Sequence, residues 1–83
     1  MEYKTIFEDQ VVTQVDVDRL STYLKSWVYL NEAFMLADFT VDDLEKLITI
    51  ELNNRNRKHM LVKLVGKRST VVRQDLYVKL GVE

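Results

Sequence analysis

The chain has 83 residues, with 12 Lys/Arg against 13 Asp/Glu for a formal net charge of −1, 47% hydrophobic residues, one His, no Cys and no Pro. One domain (residues 1–83) fits that length, disulfides and zinc–thiolate sites are excluded, and any zinc site would depend on carboxylates for nearly every ligand. The composition is that of a globular chain, the longest apolar run (Ala33 to Ala37) is far too short for a membrane span, and the start Met-Glu-Tyr-Lys lacks a signal peptide's basic start and apolar core, so a cytoplasmic protein without membrane contact is expected.

Residues 1–15 are the least helical and are expected as an extended arm. Tyr3, Thr5 and Phe7 alternate with Lys4 and Ile6, too briefly to separate a strand from an arm. Beyond the arm the only glycines are Gly66 and Gly81, which favours long helices over hairpins. Residues 16–52 form an acidic, aromatic-rich helical part. Its first helix is predicted to begin at Asp16 or Asp18, with Leu20, Leu24, Trp27, Val28 and Asn31 on one face and Tyr23, Leu30 and Phe34 on a second. Two apolar stripes suit a helix central to the fold or one shared with a partner chain. The next start is Phe39-Thr40-Val41-Asp42-Asp43-Leu44. Thr40 is the N-cap, Asp43 takes the N3 place of a capping box, and Phe39 and Leu44 have staple spacing. Asp42, Asp43 and Glu45 favour the positive end of the helix dipole, so no catalytic or metal role is needed to explain them. Leu44, Leu47, Ile48 and Leu52 are predicted inward, and Asn53-Asn54 is expected to end or kink the helix.

Residues 53–83 form a basic helical part. A third helix is predicted over 55–65, with Met60, Leu61, Leu64 and Val65 inward and Gly66 just past its end. Ser69 or Thr70 then caps a fourth helix with Val72, Leu76 and Leu80 inward and Gly81 at its end. A short strand through 70–72 is the alternative, and the repeat at four favours the helix. The expected fold is mainly α: a small bundle of three or four helices with an extended N-terminal arm. Residues 58–77 also lie on a partial helix-turn-helix frame, with Gly66 in the turn and Leu61, Val65 and Val72 at core positions. Lys67 and Asp75 stand where that motif wants apolar residues.

The near-neutral total hides two opposed halves. Residues 1–52 hold four Lys/Arg and eleven Asp/Glu, a balance of −7, and residues 53–83 hold eight and two, a balance of +6. Such a split points to a polyanion for the basic end or to a second copy whose acidic end meets it. Enzyme chemistry finds little material. His59 sits beside Lys58 and Lys63, which disfavour its protonated form. His59, Ser69 and Asp75 are the residue types of a triad without a strand-elbow motif, and Gly66 alone cannot make a phosphate loop. No cofactor is expected. The basic block is Arg55, Arg57, Lys58, Lys63, Lys67, Arg68, Arg73 and Lys79, with Asp75 as its only acid. Only one aromatic, Tyr77, lies in that half, which argues against a single-strand stacking platform and for duplex DNA held through phosphates. On the helix-turn-helix frame Thr70, Arg73 and Gln74 would reach base edges, and Arg55, Arg57, Lys58 and Lys67 would hold phosphates. The alternative is a solvated basic face that meets another copy or docks on an acidic protein surface.

The string ELNNRNRKHMLVKLVGKRS, within Leu44 to Leu80, resembles a segment of small tailed-phage proteins that include small terminase (genome-packaging) subunits. The resembling residues are Glu51, Arg55, Arg57, Leu61, Leu64, Arg68 and Leu80, and they cover under half of the chain. The resemblance implies a ring-forming α-helical protein that binds viral DNA and recruits a packaging motor. The expected function is a non-enzymatic, homo-oligomeric phage-type protein that binds duplex DNA. The alternative is a protein–protein module, either a phage structural adaptor or a small regulator of a host enzyme.

Overall fold

In the computed structural model, which describes residues 5–7 and 10–81, the first helix is capped by Thr13 rather than by Asp16 or Asp18. Thr13 Oγ1 accepts from the Asp16 N–H at 3.2 Å, and the Asp16 carboxylate accepts from the Thr13 N–H at 3.1 Å, a reciprocal capping box. Asp16 is therefore an N3 residue. The Thr13 backbone N–H holds its carboxyl below the usual carboxylate range, helped by the Thr13 hydroxyl and the Lys46 ammonium. Helix α1 (Gln14–Leu20) passes into a 3₁₀ turn, Ser21–Leu24, and there the single first helix expected from the sequence breaks. Ser26 is extended, its Oγ accepts from the Tyr29 N–H at 3.1 Å, and α2 (Trp27–Leu36) starts anew. The break resets the inward face. Leu20, Leu24, Leu30 and Ala33 are buried, whereas Trp27 and Val28 are turned outward.

Helix α3 (Val41–Asn53) begins as expected, with Thr40 Oγ1 accepting from the Asp43 N–H at 3.1 Å and with Phe39 and Leu44 both buried. The Asp43 carboxylate turns to Arg19 at 3.0 Å, so the expected capping box is half made and its acid ties α1 to α3. The Asn53 and Asn54 amides donate to the Thr49 and Ile50 carbonyls at 2.8 Å, and Asn56 takes a left-handed φ of 50° that asparagine tolerates. From Leu44 to Glu51, α3 is buried on more than the one face expected, because α4 covers one side and α1 with the 3₁₀ turn covers another; Leu52 is only half-buried. Each fully buried Leu on α3 contributes about 1.5–3 kcal/mol. Tyr23 and Phe34 meet Phe39 edge-to-face at 5.2 and 5.6 Å and close the α2 end of the core. The N-terminal segment crosses α3, where the Thr49 hydroxyl lies 2.8 Å from the Gln10 amide oxygen. Residues 1–4 and 8–9 of the expected arm lie outside the described residues, and no strand forms among those described.

The largest departure is α4 (Lys58–Leu80), 23 uninterrupted residues and about 34 Å long. It replaces the expected third and fourth helices, so neither the helix-turn-helix nor a short strand at 70–72 forms. Glycine inside a helix costs only about 1 kcal/mol, too little to break one that is anchored by packing and hydrogen-bonded on both sides. The Thr70 hydroxyl donates back to the Gly66 carbonyl at 3.1 Å instead of capping a new start. Val72, Leu76 and Leu80, expected inward, are exposed, as is Val65. Gly81 does end α4, at φ 71°. A methyl group at Gly66 would meet nothing within 4 Å. Gly66→Ala is therefore expected to raise stability by about 0.5–1 kcal/mol, read as a higher urea midpoint. A turn glycine would give a loss instead.

Candidate nucleic-acid interface

A helix turns once in 3.6 residues, so Lys63, Lys67, Thr70 and Gln74 fall on one side of α4, with His59 and Tyr77 extending that side. Met60 and Leu64 hold a different side in the core. The first turns of α4 run beside α2. Lys63 Nζ lies 5.2 Å from the Trp27 ring centroid and 5.9 Å from that of Phe34. Lys67 Nζ lies 5.7 Å from Phe34, and the His59 ring stands 5.6 Å from Trp27. An open cleft of about 340 Å³ lined by Phe34, Val62, Lys63, Gly66, Lys67 and Thr70 marks this junction. Cation–π contacts of this kind contribute about 0.5–1 kcal/mol at exposed sites and fix where the two ammonium groups sit.

Trp27 and Phe34 are site residues that sequence reasoning missed. It found the basic half nearly free of aromatics, and the fold brings two aromatics in from α2. The available signal was their spacing of seven, which puts both on one face of α2.

The eight cations beyond residue 52 divide into two groups. Arg57 is committed inward: its Nε and Nη2 donate to the Glu51 carboxylate at 3.0 and 2.9 Å, its backbone N–H donates to the same carboxylate at 2.8 Å, and Nη2 also reaches the Leu24 carbonyl. The Glu51 carboxylate holds the Arg57 guanidinium above its ordinary pKa. Arg68 donates to Glu45 at 3.0 and 2.7 Å and lies 5.2 Å from the Phe7 ring. Both are tied into the fold. Arg55, Lys58, Lys63, Lys67, Arg73 and Lys79 make no ion pair among the described residues. Of these, Arg55, Lys58, Arg73 and Lys79 are exposed, as is Gln74, and Lys63 and Lys67 are half-buried; Arg55 Nη1 reaches the Lys25 carbonyl at 3.5 Å.

His59, Ser69 and Asp75 all stand on α4, the first two about 15 Å apart along its axis, and are not brought together. Among the described residues no group of three His, Cys, Asp or Glu is placed to hold a metal ion, and no helix is long and apolar enough to cross a membrane. No protein-family model, curated protein or solved structure matches the chain. Fold and surface together define a small all-α domain that presents one long helix with a cationic outer face.

Proposed function

We propose that this chain is a non-enzymatic, self-assembling protein that binds duplex DNA through the outer face of α4. The observation that carries the reading is that Lys63, Lys67 and Arg73, on one continuous helix, make no ion pair among the described residues. From Lys63 to Gln74 that helix runs about 17 Å, a length the major groove admits. Lys63 and Lys67 meet phosphate, Thr70, Arg73 and Gln74 reach base edges, and Arg55 and Lys58 extend the positive field past the start of α4. Arg57 and Arg68 act indirectly, by holding α4 in place. Genome packaging in a phage-infected cytoplasm, the role implied by the resemblance of ELNNRNRKHMLVKLVGKRS, is the biological setting of this proposal.

Titration of a short duplex at two salt concentrations tests it. With Arg55, Lys58, Lys63 and Lys67 on phosphate, the affinity falls about 10²-fold between 50 and 200 mM salt. The triple variant Lys63→Glu, Lys67→Glu, Arg73→Glu is expected to abolish binding at 50 mM while leaving the helical spectrum intact. Absence of wild-type binding at low salt, or binding indifferent to salt, sinks the DNA reading.

A second reading is favoured by the aromatic–cation cleft. Trp27, Phe34, Lys63 and Lys67 offer apolar area beside two positive charges, the chemistry that receives an acidic peptide or protein surface. Under it the duplex titration is blank, and an acidic partner is lost with Lys63→Glu and Lys67→Glu.

A further inference from the structure

From Val72 to Leu80 every residue of α4 is exposed. That stretch includes β-branched Val72 and Val78, and helical segments of fewer than about 12–15 residues are marginal without packing. The same stretch carries most of an apolar stripe. Val62, Val65, Ser69, Val72 and Leu76 follow one another at steps of three and four, with Leu80 four residues on, and the five apolar members are between 42% and 65% exposed. Alternating steps of three and four are the pattern of a two-helix seam. The stripe lies roughly 140° around the helix from Lys63, Lys67 and Gln74, and roughly 130° from Met60 and Leu64. The side of α4 that faces α3 therefore points away from it; Val62, at the start of the stripe, also lines the cleft beside Phe34, and from Val65 onward the stripe is open.

We infer that α4 pairs along this stripe with α4 of a second copy, antiparallel, about a two-fold axis between Ser69 and Val72. Charge selects the partner and the direction. Arg68 and Asp75 flank the stripe on one side, and Arg73 flanks it on the other. A parallel pair sets Arg68 of each copy beside Arg73 of the other, two like-charge contacts. The antiparallel pair sets Arg68 beside Asp75 of the second copy, twice. Asp75 makes no ion pair among the described residues, and Arg68 spends only Nε and Nη2 on Glu45, leaving Nη1 for the contact. Size agrees with charge. In this register Leu76 stands opposite Val65 of the second copy, and Val72 stands opposite the small Ser69 near the axis, where the helices approach most closely. The pairing lends the last turns of α4 the packing that their own chain does not supply.

The inference rests on the self-assembling part of the proposed function, and its test is run without DNA, so that failure of pairing and failure of DNA binding are read separately. Light scattering is expected to give twice the 9.8 kDa chain mass. Leu76→Glu is expected to weaken self-association by at least about 10²-fold, since each copy buries one added charge, while the helical spectrum persists. Direction is read from disulfides, because the wild-type chain has no Cys. Val62→Cys protein and Leu80→Cys protein, mixed and oxidised, are expected to cross-link to each other and not to themselves. A wild-type monomer at tens of micromolar overturns the inference. So does a Leu76→Glu protein that still dimerises, and so do cross-links between copies of the same single variant.

Discussion

Glu51→Ala is expected to destabilise the protein by about 3–5 kcal/mol, against a total of about 4–12 kcal/mol for a chain of this length. Glu51 is 1% exposed and stands at the end of α3. Its carboxylate accepts the Arg57 backbone N–H at 2.8 Å and two guanidinium bonds at 3.0 and 2.9 Å, and Arg57 in turn bonds the Leu24 carbonyl. One ion pair thus joins the end of α3, the start of α4 and the 3₁₀ turn. Removing either member leaves the other buried with its charge unmet, so Arg57→Ala is expected to cost a similar amount, and the double variant less than the sum of the two. The pair also sets an acid limit. Burial pushes the Glu51 pKa up, but the side-chain and backbone hydrogen bonds from Arg57, with its charge, outweigh burial and hold it below the ordinary glutamate value. A carboxylate with a lowered folded pKa contributes stability that is complete above the unfolded value, about 4.3, and is lost as pH falls through the folded one. Urea midpoints should therefore drop below about pH 4 in the wild type, and drop less in Glu51→Gln, which has no charge to lose. A Glu51→Ala midpoint equal to the wild type would refute this role.

That ion pair shows where sequence reading stopped. Local signals were legible: the cap at Thr40, the Asn53-Asn54 end and the left-handed Gly81 each depend on a few adjacent residues, and each is found in place. Ser26 was legible in principle, as a cap three residues before Tyr29, but with no Pro or Gly beside it the apolar spacing ran straight through. Gly66 misled in the opposite sense. A residue that often ends helices stands in the middle of one, because neighbours on both sides continue the hydrogen-bond ladder and Met60 and Leu64 anchor it. The charge block was legible as composition only. Which cations face solvent depends on partners far along the chain: Arg68 meets Glu45 from 23 positions away, and Lys63 and Lys67 sit over aromatics of α2. The acids at the start of α3 do more than favour its dipole, since Asp43 binds Arg19, and Lys46 bridges Asp42 at 3.1 Å and Asp16 at 3.3 Å. The contrast between acidic and basic halves is therefore partly spent inside the fold, and what remains outward is concentrated on α4.

Leu64→Ala tests how firmly α4 is held, and is expected to cost about 2–5 kcal/mol. Leu64 is 0% exposed and, with Met60, is one of two α4 side chains in the buried core; Leu61 and Val71 pack against that core only in part. Deleting three heavy atoms there opens a cavity against α3, whose own core residues cannot collapse into it without giving up their contacts with α1 and the 3₁₀ turn. Val65 is the internal control. It is the next residue, about 100° around the helix from Leu64 and on the open three-and-four stripe, so Val65→Ala should shift stability by less than about 0.5 kcal/mol in the isolated chain. The two neighbours therefore separate two properties. Leu64→Ala lowers the midpoint at every protein concentration, because it acts inside one chain. Val65→Ala weakens self-association, so its midpoint falls only where the wild type is paired, and the difference grows with concentration. A Leu64→Ala loss below about 1 kcal/mol would mean that α4 is held chiefly by Arg57 and Arg68. The basic face would then ride on two ion pairs and would loosen in acid or high salt before the rest of the domain unfolds.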